Sequence, residues 1–371
     1  MRNMLLIIFA AFALALAGCR TQPRAESTPA PHSELRTPHS YTRIANPDTN
    51  TVQLQIALRK FVPLHHRGPA IWLAGTMHVG EPDYYRALQK YLDTQTIVLY
   101  EGINTETHER HVQSDKQNKT QAHSSPSPLS AGARAGVRGN DLTDDGTQTG
   151  TNAGFSMQAA LADSLGLVFQ LNAIDYERTN FLNSDLSVLQ IQRLMAGETN
   201  AISALPGKQT KSNSSFDTLL QVMDGTSLLG SLVKVGMQFI GANPKLQALA
   251  KLTLIEAVGR LKGDFSDLRG LPPDLKQMVK VLIEARNQNV LADLKTELKV
   301  IPHTGSIAVF YGTGHMEDLE RRVTRELHYQ PADEIWLTAF SVDLRKSGLS
   351  PAEVQVMRNL VKWQLDQMQQ F

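Results

Sequence analysis

Residues 307–319, "IAVFYGTGHMEDL", join an apolar run, two glycines and a histidine in direct succession. Residues 71–85, "IWLAGTMHVGEPDYY", repeat this order, so that His78 and His315 each follow a glycine by three residues. Apolar runs of this length, ended by glycine and followed by a helix-like segment, are typical of buried strands in parallel sheets. The two stretches therefore predict two strand–turn–helix units, each with a histidine just beyond the end of its strand.

In the rest of the sequence, apolar segments typical of strands alternate with amphipathic segments typical of helices. This alternation predicts an α/β fold with a mostly parallel central sheet flanked by helices. A long block of helical periodicity at residues 182–300 predicts a large helical insertion or cap. The segments predicted as strands are 51–58, 70–75, 96–102, 168–175, 305–312 and 333–343, and those predicted as helices are 81–95, 156–167, 315–327 and 350–371.

The composition limits the kind of partner. The chain has 371 residues, of which 20% are charged, and a formal net charge of +1. A balanced charge gives no electrostatic reason to expect a polyanionic partner, so we expect no binding to nucleic acid. The length allows a single large α/β domain with a sizeable core.

The sequence of the amino terminus predicts an export and anchoring signal. Residues 1–19 contain Arg2 and an apolar run that is short for a membrane span, and they end in Leu-Ala-Gly-Cys. This pattern resembles the bacterial lipoprotein signal, in which Cys19 becomes the acylated first residue, for example with palmitate. An ordinary signal peptide or an uncleaved anchor helix are the alternatives. Arg20 replaces the aspartate that retains lipoproteins at the inner membrane, so we expect a lipid anchor in the outer membrane, with the domain in the periplasm.

Two polar segments divide the remainder of the chain. Residues 20–46 are rich in Thr, Pro, Ser and Arg and are expected to form a disordered tether, which leaves residues 47–371 as the domain. Residues 105–152 lack apolar periodicity and are expected to be a disordered insert, or a lid that orders on binding. The histidines of this insert are expected to be ordinary solvated side chains: His108, His111 and His123.

Three candidate side chains are predicted at the carboxyl ends of strands. His78 and His315 follow their strands, and Glu101 ends the strand of residues 96–100. Open parallel sheets bind ligands at this edge, where residues far apart in sequence converge. Two imidazoles and a carboxylate are a plausible ligand set for a divalent transition metal that activates water. Alternatively, each histidine only caps the next helix. The glycines that would let the turns approach a ligand are Gly75, Gly312 and Gly314.

A further candidate is Arg286 in the helical segment "IEARNQNVLADLKTEL". In one interpretation Arg286 points into the pocket and orients Glu101, or clamps a substrate carboxylate or carbonyl. In the other, Arg286 and Glu284 simply lie on a solvated helix face.

Taken together, these motifs resemble the TraB/GumN family, which is related to Tiki-type proteins and more distantly to erythromycin esterases. The resemblance extends over about residues 70–330 in separated motifs. The matching residues are Gly75, Thr76, His78, Val79, Gly80, Glu101, Asn183, Asp185, Arg286, Asn287, Gly312, Gly314 and His315. The aromatic Tyr100 before Glu101 and the long polar insert after it depart from the family pattern, and the insert puts substrate access in question.

The resemblance implies a metal-dependent hydrolase of peptide or amide bonds that uses Mn²⁺ or Co²⁺; Zn²⁺ is a further possibility, although no familiar zinc motif is present. His78, Glu101 and His315 would hold the metal, with Glu101 as ligand or general base. Arg286 would orient the reacting groups or stabilise a developing oxyanion. Asp185 and Asn287 would surround and support these residues. The alternatives are a lipoprotein that binds a peptide or small ligand without chemistry, and a metal-independent esterase with a histidine base.

Overall fold

The structure is a computed structural model that describes residues 40–65, 67–102, 152–195, 236–260 and 281–370. The predicted signal with Cys19, the tether up to residue 39 and residues 105–151 of the predicted insert lie outside the described residues. Within the described ranges, no helix combines the length and the apolar character that are needed to cross a membrane.

Strands and helices alternate along the described chain as the sequence predicts. The strands are β1 (Thr42–Ala45), β2 (Thr51–Pro63), β3 (Ala70–Thr76), β4 (Val79–Gly80), β5 (Ile97–Tyr100), β6 (Val168–Phe169), β7 (Phe181–Asn183), β8 (Ser306–Gly312) and β9 (Tyr329–Asp343). The helices are α1 (Pro82–Leu92), α2 (Asn152–Ser164), α3 (Gln170–Ala173), α4 (Val188–Met195), α5 (Pro244–Arg260), α6 (Arg286–Glu297), α7 (Thr313–Glu326) and α8 (Pro351–Gln370). A π-helical segment, Val281–Ala285, runs directly into α6.

The central sheet is mixed and mostly parallel. Its seven strands follow the order β1-β2-β3-β8-β5-β7, and β9 pairs with β2. The pairs β3–β8, β8–β5 and β5–β7 are parallel, whereas β2 is antiparallel to β1, β3 and β9. Six of the described strands of this sheet therefore share one direction, and β2 opposes them. The predicted α/β class is confirmed.

The sheet is buried on both faces, which explains why its central strands are continuously apolar. Alternate residues of β2, β3, β5 and β8 enter two separate apolar clusters, as the two-residue period of a strand requires. Helices α1, α2, α5 and α8 cover one face, and helices α6 and α7 cover the other. Two layers of helix thus fix the positions of the strand ends between them.

Local signals in the sequence determine where two helices begin. Pro82 occupies the first turn of α1, where its missing N–H would have no helical partner anyway. Ser350 and Glu353 form a reciprocal cap at the start of α8: Ser350 Oγ accepts the Glu353 N–H at 3.3 Å, and the Glu353 carboxylate accepts the Ser350 N–H at 2.8 Å. Both helices begin where the sequence predicts.

At its edges the sheet differs from the sequence expectations. Residues 42–45, which the polar composition assigns to the tether, form β1 on one edge of β2. Residues 168–175 were expected to be a strand of this sheet, but they form the short β6, which pairs with β4, and then α3. The strand beside β5 is instead β7, which lies at the start of the predicted helical insertion.

The described parts of residues 182–300 are mostly helical. Helix α4 and the π-helical segment form a small apolar cluster of their own, whereas α5 and α6 pack directly on opposite faces of the sheet. These helices belong to the main layers because their apolar residues complete the sheet's own core, for example through Leu252 and Leu294, which are fully buried.

Candidate functional site

Two of the candidate residues, Glu101 and His315, meet where three parallel strands end. Strands β3, β8 and β5 are adjacent in the sheet, so their carboxyl ends form one continuous edge. His78 follows β3, Glu101 follows β5, and His315 lies in the first turn of α7 directly after β8. His315 Nε2 lies 3.7 Å from Glu101 Oε1, which brings together two side chains more than 200 residues apart in sequence.

Both carboxylate oxygens of Glu101 are hydrogen-bonded. Oε1 accepts from Arg286 Nη2 at 2.7 Å, and Oε2 accepts from the backbone N–H of Gly312 at 2.6 Å. Gly312 is the residue that precedes α7, so the carboxylate lies at the positive end of that helix. The Glu101 side chain is 14% exposed, which leaves it accessible from one side.

Arg286 is held by a second acid. Its Nε and Nη2 donate to the two oxygens of Asp185 at 2.8 Å and 2.6 Å, a bidentate pairing, and the Asp185 side chain is fully buried. The π-helical segment ends immediately before Arg286; such wider turns are frequent at functional sites. Arg286 is 6% exposed, so it does not lie on a solvated face, and its contacts are those of the orienting role.

This network sets the charge of Glu101. Burial alone would raise the pKa of Glu101, but Arg286, the nearby histidines and the Gly312 N–H together lower it well below its usual range. Burial opposes the charge of Arg286, but the two acids raise its pKa well above the usual value. Glu101 is therefore an ionised carboxylate and a weak proton acceptor at neutral pH.

The tautomer of His315 follows from its partners. Asn287 Nδ2 donates to Asp318 Oδ2 at 2.9 Å and to the His315 backbone oxygen at 3.3 Å, so the amide oxygen of Asn287 lies toward the imidazole ring. This oxygen is 2.7 Å from His315 Nδ1. Because an amide oxygen only accepts, Nδ1 carries the proton. Burial lowers the pKa of His315 to about 4, so the ring is neutral at pH 7 and Nε2, near Glu101, keeps its lone pair.

His78 is held by a different residue. The Gln170 N–H donates to the His78 backbone oxygen at 2.8 Å. Burial lowers the pKa of His78, an effect that the Glu101 charge and the polar side chain of Gln170 partly offset and that Arg286 strengthens. Gln170 is itself fixed by Thr76 Oγ1 at 3.3 Å and by the Tyr176 hydroxyl at 2.9 Å.

Two of the predicted turn glycines lie in close contact with neighbouring atoms. A Cβ on Gly312 would lie 3.2 Å from Glu101 Oε2, and a Cβ on Gly75 would lie 3.3 Å from the backbone oxygen of Ala57 and from Thr313 Cγ2. Gly314 lies in the first turn of α7. The glycines thus let β3, β8 and α7 come close enough for the side chains to meet.

Two side chains of the site fit a divalent metal. In the described residues, no group of three or more His, Cys, Asp or Glu side chains is arranged to hold a metal ion. The pair His315 and Glu101 does fit, because Nε2 and Oε1 both carry lone pairs and their separation of 3.7 Å is shorter than two metal–ligand bonds of about 2.0–2.2 Å placed end to end. The His315–Asn287 bond is also typical of a metal-binding histidine.

Sequence reasoning missed several residues of this site. Gln170 was placed in a predicted strand, and no local pattern connects it to His78. No local pattern identifies Tyr176 either. Asp318 lies three residues after His315 on the same helix face, and that spacing is a signal that could have identified it.

No family model, curated protein or solved structure shows a significant match to the chain.

Proposed function

We propose that the chain is a metal-dependent hydrolase, anchored to a membrane through acylated Cys19, in which His315, Glu101 and His78 hold a divalent cation such as Mn²⁺, Co²⁺ or Zn²⁺. The observation that carries this proposal is the pairing of an ionised carboxylate with the lone pair of a neutral imidazole at 3.7 Å. A cation between them would accept the lone pairs of both the Glu101 carboxylate and His315 Nε2. In the described structure His78 does not complete a three-ligand group, so its participation is a separate part of the proposal.

The residues of the chain have distinct tasks in this proposal. A bound divalent metal supplies a water of lowered pKa and polarises a carbonyl oxygen. Glu101, whose pKa is well below the usual range, acts as a ligand rather than as a general base. Arg286 and Asp185 hold the carboxylate in position, and Asn287 fixes the His315 tautomer. A peptide or amide substrate is proposed from the resemblance to the TraB/GumN family.

A metal-independent esterase is the second candidate, because His315 is also oriented as a base would be, with Nδ1 bonded to Asn287. Its pKa of about 4 counts against it, since such a ring takes up a proton poorly at neutral pH. A lipoprotein that binds a peptide without chemistry would bind it at the same edge of the sheet.

The test is the metal content of protein purified without chelator, followed by binding of Mn²⁺, Co²⁺ and Zn²⁺. We expect about one metal per wild-type chain and none in His315→Ala. Asn287→Leu should bind the metal roughly 10- to 100-fold more weakly, because the ring loses its orienting partner. His303→Ala, a change at an exposed histidine outside the site, serves as the matched control and should bind normally.

Hydrolysis is then assayed with a peptide library and mass spectrometry. Cleavage that requires added metal supports the proposal. Cleavage of esters by metal-free protein would support the esterase instead. Peptide binding without cleavage, in the presence of each metal, would support the binding protein.

A further inference from the structure

Helix α8 carries an exposed apolar stripe. Val356 is 67% exposed, Leu360 41% and Trp363 55%, and their spacings of four and three residues place them on one side of the helix. A different side of α8 packs into the core through Val354, Met357, Val361 and Leu365. The helix therefore has two apolar sides, and folding of the described chain buries one of them.

An exposed stripe of this kind indicates a partner. Single exposed apolar residues are ordinary, but a row of large ones along two turns of a helix is typical of a surface that contacts another molecule or a membrane. Polar residues border the stripe: Lys362 is exposed next to Trp363 in sequence, and Gln355 is exposed next to Val356.

The route of the chain connects this helix to the proposed lipid anchor. Ser40, the first described residue, lines a cavity of about 960 Å³ together with Arg358, Lys362 and Leu365 of α8. The adjoining strand is fixed there, because Thr42 Oγ1 donates to the backbone oxygen of Val258 at 3.0 Å. Ser40, the described residue nearest to Cys19 in sequence, therefore lies beside α8.

The length of the segment from Cys19 to Ser40 keeps α8 near the anchor. About twenty residues separate Ser40 from Cys19, and a backbone of this length spans at most roughly 70 Å. The stripe lies on the helix whose other side lines the cavity next to Ser40, so its distance from the anchor is limited by the length of this segment.

We propose that the α8 stripe of Val356, Leu360 and Trp363 lies in the headgroup region of the phospholipid bilayer that holds the acylated Cys19; this inference rests on the anchor proposed above. Tryptophan favours that depth, because its ring is apolar while its N–H remains hydrated. The exposed ammonium of Lys362 is placed to meet lipid phosphates. A second copy of the chain is the competing occupant, but no feature of the described residues selects it.

The test uses the full lipidated protein reconstituted into phosphatidylcholine–phosphatidylglycerol vesicles, with and without brominated acyl chains. The chain has three tryptophans; Trp72 is 7% exposed, and Trp336 is covered by the Arg43 guanidinium. We expect brominated lipid to quench wild-type emission and to leave the emission of Trp363→Phe unchanged. Equal quenching of wild type and Trp363→Phe would overturn the inference.

A charge placed on the stripe separates this contact from anchoring. Leu360→Asp should lose the quenching of Trp363 while the protein stays on the vesicles through its lipid. Gln355→Asp, the same charge added outside the stripe, should keep the quenching. Cross-linking of Leu360→Cys into dimers on vesicles, without lipid quenching of the wild type, would assign the stripe to a second copy and overturn the inference.

Mass spectrometry of Cys19 distinguishes the two proposals. An acylated Cys19 without quenching overturns the membrane contact alone. A Cys19 without lipid overturns the anchor as well as the inference that rests on it.

Discussion

The charge balance of the site depends on one buried cation. Arg286 is the shared partner of Glu101 and Asp185, and both acids lie where water has little access. Two carboxylates and one guanidinium leave a net negative charge, which the Gly312 N–H and the start of α7 partly compensate. This remaining negative charge is what a divalent cation would neutralise.

Removal of the Arg286 guanidinium should destabilise the fold. Arg286→Met keeps most of the side-chain volume but leaves two buried acids without their partner, so we expect a loss of about 3–5 kcal/mol in the free energy of unfolding, measured with urea. The control is Arg86→Met, which breaks an exposed pair with Asp83 and should cost at most about 1 kcal/mol. Adding Glu101→Gln and Asp185→Asn to Arg286→Met should restore part of the loss. A small effect of Arg286→Met alone would contradict this account.

His315 should make the metal-free protein sensitive to acid. Its pKa is about 4 in the fold, against an ordinary value of 6.5, so between these values the unfolded chain binds the extra proton. Its contribution is complete above pH 6.5 and is lost as the pH falls toward 4, a decrease of about 3 kcal/mol at most.

Urea unfolding at a series of pH values, with chelator present, measures this dependence. His315→Gln should flatten the curve between pH 4 and 6.5, whereas the exposed His303→Ala should leave its shape unchanged. An unaltered slope in His315→Gln would show that other groups cause the sensitivity.

At the scale of elements, the sequence predicts what is buried on both sides. Strands β3, β5 and β8 are apolar throughout because helices cover both faces, and their ends carry the three candidate residues. The edge strands β1 and β7 have few or no fully buried residues, so they leave no apolar pattern to find. For the same reason the exposed start of β9 could not be predicted: pairing with β2, rather than burial, makes it a strand.

The candidate site likewise contains residues that the sequence predicts and residues that it does not. The strand ends predict His78, Glu101 and His315, because parallel strands end together. Gln170 could not be predicted, since it reaches His78 from α3, and the position of α3 depends on the pairing of β4 with β6. Local pattern thus identifies residues carried by strands, and it misses those placed by tertiary contacts alone.

The reciprocal cap at the start of α8 gives a prediction for a single element. Ser350→Ala removes the hydroxyl that accepts the Glu353 N–H, and should reduce stability by about 1 kcal/mol. Ser350→Asp supplies another acceptor at the same position and should keep most of the stability. Thermal unfolding measures both; metal binding should not change, because α8 contributes no residue to the site. A loss as large in Ser350→Asp would argue against capping.

At the scale of the whole molecule, the site joins the layers of the fold. Helices α6 and α7 on one face supply Arg286, Asn287 and His315. Gln170 reaches the site from α3, and Glu101 directly follows β5 of the sheet. A ligand that binds at this edge therefore ties together elements that are distant in sequence, and its binding should stabilise the fold as a unit.

Metal binding should consequently raise the stability of the entire domain. A ligand that binds the folded state alone at 100 times its dissociation constant adds about 2.7 kcal/mol to the free energy of unfolding. We expect added Mn²⁺, Co²⁺ or Zn²⁺ to raise the unfolding midpoint of the wild type and of His303→Ala, and chelator to reverse the rise. His315→Ala should show no rise, because the lone pair next to Glu101 is gone. If His315→Ala gains as much as the wild type, the metal binds elsewhere, and the pairing of His315 with Glu101 must have another purpose.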